Sequence, residues 1–134
     1  MLAYTHPACL EHDTGPDHPE RPARLRAVLD ALHHAWPDQA WREAPPAARG
    51  DLLRVHADRH VDEVLAPVEG PLQRLDPDTV VSPASGRAAL HAAGAGLSAV
   101  DAVMTGEAAT AFCAVRPPGH HATADAAMGF CLFN

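Results

Sequence analysis

A long alanine-rich segment runs from Pro83 to about Thr105, meets Gly106, and passes into the apolar run Ala109 to Val115. That order of helix, glycine and apolar strand constrains the fold more than any other feature. A short run carrying Phe112, Cys113 and Val115 without polar alternation reads as a strand buried on both faces, and such burial requires helices above and below a parallel sheet. Ser82 and Pro83 predict the helix start, as a cap followed by a first-turn proline, and Gly106 predicts its stop because glycine tolerates the left-handed backbone beyond a helix end. The predicted contact face comprises Ala88, Ala89, Ala92, Ala93, Gly96, Leu97, Val100 and Val103, mostly small residues that let neighbouring elements approach closely. The expected class is α/β, a parallel sheet flanked by helices.

The rest of the chain fits that class. Leu2 to Thr5 is an expected first strand and Trp41 to Ala44 a second. Between them Leu25, Val28, Leu29 and Leu32 recur at helical spacing after Pro22, whose fixed φ suits a first helical turn, and Pro37 ends the pattern. A short helix is expected over Asp58 to Leu65, preceded by a turn with Leu52 and Leu53 that Asp51 caps. Prolines and aspartates from Pro67 to Pro83 exclude long regular structure. No repeat, low-complexity tract or linker divides the chain, so residues 1–134 are expected to be one domain or the front part of one.

Composition removes several function classes. The net charge is −7 and the ten basic residues are all arginine, scattered without a basic stripe, which argues against direct nucleic-acid binding. Ala88 to Met104 is interrupted by His91, Ser98 and Asp101, so it reads as a buried helix rather than a membrane span, and no membrane role is expected. The first residues lack the basic and apolar regions of a signal peptide. Cys9, Cys113 and Cys131 are odd in number and lack any CxxC spacing, which argues against a disulfide framework or a zinc knuckle and suits a reducing cytoplasm.

The chemistry concentrates in Arg116, Pro117, Pro118, Gly119, His120 and His121, directly after the apolar run. In open α/β sheets ligands bind beyond the carboxyl ends of the strands. Pro117 and Pro118 stiffen the incoming backbone and Gly119 is expected to turn it sharply, which gives the two imidazoles a stiff platform. Histidine changes charge nearest neutral pH, so neighbouring imidazoles can divide labour, one accepting a proton and one stabilising an anion, and they titrate as a coupled unit.

Other histidines carry weaker signals. His12 and His18 lie on the long loop from Pro7 to Glu20 and are candidates to border a site, against the ordinary alternative of exposed loop positions. His56 and His60 have the i, i+4 spacing of a helical metal pair, but Ala57, Asp58 and Arg59 supply no glutamate between them, so a solvent-facing helix start is expected. His33 and His34 read as the exposed end of a helix, where imidazole suits the negative pole.

RPPGHHA from Arg116 to Ala122, with GFCLFN from Gly129 to Asn134, resembles the zinc-dependent histone deacetylase superfamily. The proline pair is similar to its class II and bacterial members, including acetylpolyamine amidohydrolases and acetoin-utilisation proteins. HPERPARL from His18, DLLRVH from Asp51 and DTVVSP from Asp78 extend the likeness in order along the chain. The resemblance implies an arginase/deacetylase-type fold and hydrolysis of an acetyl amide, on lysine or a polyamine, by a water bound to a divalent metal, usually Zn2+. It implies that His120 and His121 are the tandem catalytic histidines, and that Gly129 and Phe130 line the acyl tunnel. It also places Arg24 beside an internal acetate channel, where a guanidinium can hold a carboxylate bidentately; a solvated helix-face charge is the alternative.

The likeness covers only the family's amino-terminal portion. In complete members an aspartate and a histidine of a DxH motif, plus a further aspartate, hold the metal, and the resemblance implies that these lie beyond Asn134. A catalytic zinc needs three protein ligands and an open position, and none is assigned here. The expectations that follow are a chain with the histidine half of the site, little activity alone, and self-association through an uncovered sheet edge and helix face. A catalytically inactive fragment or non-enzymatic interaction module is the competing reading.

Overall fold

The computed structural model describes residues 1–134. In chain order its elements are β1 (Leu2–Thr5), α1 (Ala8–Glu11), α2 (Pro22–Ala35), β2 (Trp41–Glu43), α3 (Arg49–Leu52), α4 (Asp58–Leu65), β3 (Gln73–Arg74), β4 (Val80–Val81), α5 (Ser85–Met104) and β5 (Ala111–Cys113). The central sheet is parallel with order β2-β1-β5, so Ala3 pairs with Trp41 on one side and Phe112 on the other. A two-stranded antiparallel ribbon, β3 with β4, stands apart from it.

Helices cover the central strand β1, which is apolar and buried on both faces. Leu2 and Tyr4 of β1 pack with Ala95 and Ala102 of α5, and the Tyr4 hydroxyl donates to the Ser98 carbonyl at 3.2 Å. Leu25, Leu29 and Leu32 of α2 pack in a separate cluster with Cys9, Ala114 and Trp41. The largest cluster joins Leu52, Val61, Val64, Val81 and Ala89 to Ala127, Leu132 and Phe133, and it ties the carboxyl-terminal segment to α4 and α5. Burying a side chain such as Leu132, fully enclosed, stabilises the fold by about 1.5–3 kcal/mol.

Several local expectations need correction. Asp51 lies inside α3 and caps nothing; the helix begins after Ala48 with no side-chain cap. The long helix starts at Ser85 rather than Pro83, and it is the Ser85 hydroxyl, not Ser82, that takes the free backbone N–H, that of Ser82, at 2.7 Å. The expected contact face of α5 holds for Ala88 and Ala89 and then drifts. Gly94, Ala95 and Ala102 are buried, whereas Gly96, Leu97, Val100 and Val103 are exposed. Gly94 marks the closest approach, since a side chain there would collide with the Pro45 carbonyl.

The strand expected to be buried on both faces is shorter and more open than its sequence suggests. β5 covers Ala111–Cys113, and Phe112 is 41% exposed. The reason is topological: β5 bonds to β1 on one side only and is an edge of this sheet. Together with exposed Val100, Val103 and Met104 it leaves an apolar surface on that side of the chain. No helix is long and apolar enough to cross a membrane.

Candidate active site

A cleft of about 570 Å3 opens at the carboxyl end of the parallel strands. Its walls include Arg24, His120, His121, Gly129 and Phe130, so the fold brings these five candidates to one cleft, while His12 and His18 are not among its lining residues. They arrive from three directions: the first turns of α2, the loop after β5, and a turn near the carboxyl end. Leu25, Val28, Phe112 and Val115 make the lining partly apolar, and Glu20, Asp78 and Arg116 add charge.

The histidine loop is built from below. Arg116 is 2% exposed and spends its donors on one region: Nε and Nη2 reach the Glu20 carboxylate at 3.0 and 2.8 Å, and Nη1 reaches the Cys9 and His12 carbonyls at 2.9 and 2.6 Å. A buried guanidinium is tolerable only when paired and fully hydrogen-bonded, and this one is. The pair therefore anchors the start of the histidine loop to the segment that leads into α2 and Arg24. The Arg116–Pro117 peptide is cis. Gly119 does not have the positive φ of a sharp glycine turn; it is required because a side chain would strike the Phe133 carbonyl. Leu132 N–H closes the same contact on the Pro118 carbonyl at 3.1 Å.

Beyond that base, His120 and His121 are exposed, with ring centroids 4.3 Å apart and planes tilted by 49°. No protein group hydrogen-bonds to their ring nitrogens, which are left open to the cleft. Gly129 packs directly against His121: a Cβ there would lie 2.9 Å from the imidazole Cδ2. Arg24 is exposed and joins none of the chain's ion pairs, which leaves its guanidinium available on the cleft wall.

The remaining histidines divide sharply. His12 is 1% exposed, with Nδ1 at 2.6 Å from the Ser85 hydroxyl and Nε2 at 3.7 Å from Glu20, so it belongs to the buried base rather than the rim. Burial, reinforced by the Arg116 charge, pushes its pKa down to about 3 and holds it neutral. His18 is not among the lining residues, but it meets Phe130 of the wall edge-on at 4.8 Å. His33 and His34 are exposed at the end of α2, as expected.

His56 and His60 are not solvent-facing, contrary to expectation: they are 3% and 0% exposed. They face inward because the carboxyl-terminal segment lies across them. His56 Nδ1 donates to the Thr123 carbonyl at 2.9 Å and Nε2 accepts from the Asn134 N–H at 2.9 Å, while His60 Nε2 donates to the Leu132 carbonyl at 2.8 Å. Burial lowers the His56 pKa, with the neighbouring His60 adding to the effect and the Thr123 hydrogen bond opposing it.

The histone deacetylase domain pattern matches residues 18–134. This chain belongs to the histone deacetylase family. It is 41% identical over 115 residues to a histone deacetylase-like amidohydrolase of Pseudomonas aeruginosa, covering 86% of this chain and 30% of that protein. It is 41% identical over 125 residues to the human polyamine deacetylase HDAC10, covering 86% of this chain and 18% of that one. The crystal structure of the HDA15 HD domain superposes on the whole chain with a TM-score of 0.94 at 35% identity, covering 41% of its own length. The chain thus spans less than half the length of these relatives, and its parallel sheet flanked by helices is that of the family's deacetylase domain.

Family membership brings the metal into question, and the donor set answers for this chain. Nowhere do three His, Cys, Asp or Glu side chains come together in a way that could hold a metal ion. His120 and His121 stand beside each other without a third donor, and the nearest following carboxylate, Asp125, pairs with Arg59 at 2.5 Å. These residues do not fit a catalytic zinc site. Sequence reasoning missed the Arg116–Glu20 base although both residues lie within quoted motifs, because nothing local signals a pairing across 96 positions.

Proposed function

We propose that this chain supplies the histidine wall of a deacetylase site acting on acetylated lysine or an acetylated polyamine. The observation that carries the reading is the convergence of Arg24, His120, His121, Gly129 and Phe130 on one cleft at the carboxyl end of the strands. A methylene chain fits the partly apolar walls, with the Phe130 ring along it and the Gly129 carbonyl as an acceptor for the substrate amide. One imidazole takes the proton of the attacking water as its oxygen adds to the acetyl carbon, then returns that proton to the departing amine. The other, as imidazolium, stabilises the negative charge that develops. The products are acetate and a free amine, and Arg24 is placed to pair with the acetate.

Zinc dependence is proposed for the full-length family member, with ligands from residues outside 1–134. The chain alone then hydrolyses acetyl amides poorly. The missing donor set also favours a second reading, an inactive interaction module that retains the histidine loop. Incubation of the chain with Zn2+ and a fluorogenic acetyl-lysine peptide separates them. Slow turnover abolished by His121→Ala supports the hydrolase wall; no turnover, with no shift of the His121 or Phe130 resonances on adding N-acetyl-lysine amide at millimolar concentration, leaves the module.

Two placements accompany this reading. Free Cys9, Cys113 and Cys131 suit a reducing cytoplasm, and burial raises all three thiol pKa values, which keeps them protonated and unreactive. The open β5 edge beside Phe112, Val100 and Met104 favours self-association of the isolated chain, measurable by analytical ultracentrifugation. A monomer across the micromolar range would remove that expectation.

A further inference from the structure

The wall formed by Gly129 and Phe130 is an unusual piece of backbone. Both residues have positive φ, 57° and 70°, and the Cys131 N–H returns to the Met128 carbonyl at 2.9 Å. This is the φ pattern of a type I′ turn, whose central positions normally go to asparagine, aspartate or glycine. Phenylalanine at the second of them is disfavoured by its Cβ, so the turn persists only where surrounding groups hold it.

Two side chains do so from 51 residues away. The Gly129 N–H donates to Asp78 Oδ1 at 3.2 Å and the Phe130 N–H donates to Thr79 Oγ1 at 3.1 Å. These are the two central amides of the turn, which its own closing bond leaves unused. The holder is itself stiff: Asp76 Oδ1 accepts the N–H groups of Asp78 and Thr79 at 2.9 and 2.6 Å, and Thr79 is 1% exposed. The same stretch fixes His18, whose Nε2 donates to the Asp78 carbonyl at 2.9 Å and whose ring meets Phe130.

We propose that Asp78 and Thr79 are positioning residues: they hold the Gly129–Phe130 turn in its left-handed form, and through it set the Phe130 ring against His18 and the Gly129 backbone against His121. Calling the turn a substrate wall rests on the function proposed above; the clamp itself does not. Release of either amide lets Phe130 relax toward negative φ, which swings its ring off the cleft.

The His18 imidazole reports the arrangement, because the Phe130 ring current displaces its carbon-bound proton signals. Carbon–proton correlation spectra of the full chain at one fixed pH test it, with Phe130→Ala defining the undisplaced position. Thr79→Val and Asp78→Ala should each move the His18 signals at least halfway to that position, and Thr79→Ser, which restores the acceptor, should leave them at the wild-type position. Asp78→Ala alters an exposed side chain while keeping the backbone carbonyl that anchors His18, so it decides the matter if Thr79→Val does not fold. Wild-type His18 signals in both variants, even with a lowered Tm, overturn the clamp and leave these residues with a purely structural role. The readout needs no turnover, so it stands apart from the acetyl-lysine titration that tests the function.

Discussion

Two of the chain's close histidine pairs, His56 with His60 and His120 with His121, are treated by the structure in opposite ways. His56 and His60 are enclosed, their rings 4.8 Å apart and their nitrogens committed to the backbone of residues 123–134, apart from His60 Nδ1, which is buried without a partner. His120 and His121 stand exposed in the cleft with nitrogens free. The first pair fastens the segment that carries Phe130, and the second faces whatever enters. The proton transfer proposed for the exposed pair requires open nitrogens on an immobile support, and beneath this loop lies a buried polar layer that includes Arg116, Glu20 and His12.

The strongest way to break that contrast is to remove the support. Arg116→Met leaves Glu20 buried and unpaired and should cost about 3–5 kcal/mol in urea denaturation. Adding Glu20→Leu should recover much of the loss, because the stranded charge is gone. A single variant within about 1 kcal/mol of wild type would mean that the loop does not depend on this pair. Next comes His60→Ala, which opens a cavity beside Val61 and Phe133 and orphans the Leu132 carbonyl. We expect about 3 kcal/mol by the same measurement.

Acid sharpens the comparison. His12 is neutral in the folded protein, with a pKa near 3, but protonates near 6.5 once unfolded, so the unfolded state binds the extra proton as pH falls. The stability from this neutral form is fully present above about pH 6.5 and is lost progressively below it until the folded group itself protonates. Between pH 7 and 5 the loss from His12 should be about 2 kcal/mol, and the lowered pKa of His56 acts in the same direction. Denaturation midpoints at the two pH values measure it, and His12→Gln should flatten the slope. The smallest effect belongs to the exposed pair: His120→Ala and His121→Ala should each change stability by less than about 0.5 kcal/mol. A larger loss would put them in the structural class with His56 and His60.

Much of this was legible in the residues. The helix over Asp58–Leu65 and the one opened by Pro22 and closed before Pro37 follow local periodicity and breakers. The site candidates were legible because RPPGHH and GFC are contiguous motifs. The assignment of the two histidine pairs by environment was not. His56 and His60 look amphipathic and polar in isolation, and only the return of residues 123–134 across them turns them inward. Gly119 likewise looked like a turn residue, and the requirement comes from the Phe133 carbonyl beside it.

By itself, the sequence determined the α/β class, the order of the main elements, the family resemblance and the residues on which chemistry can be built, because periodicity, breakers and motifs are local properties. Tertiary structure alone decided which histidines are free, that Arg116 answers Glu20, and that Asp78 and Thr79 reach the Gly129–Phe130 turn. Those are contacts between segments 51 to 96 positions apart, and burial and hydrogen bonding across such distances exist only once the chain has folded.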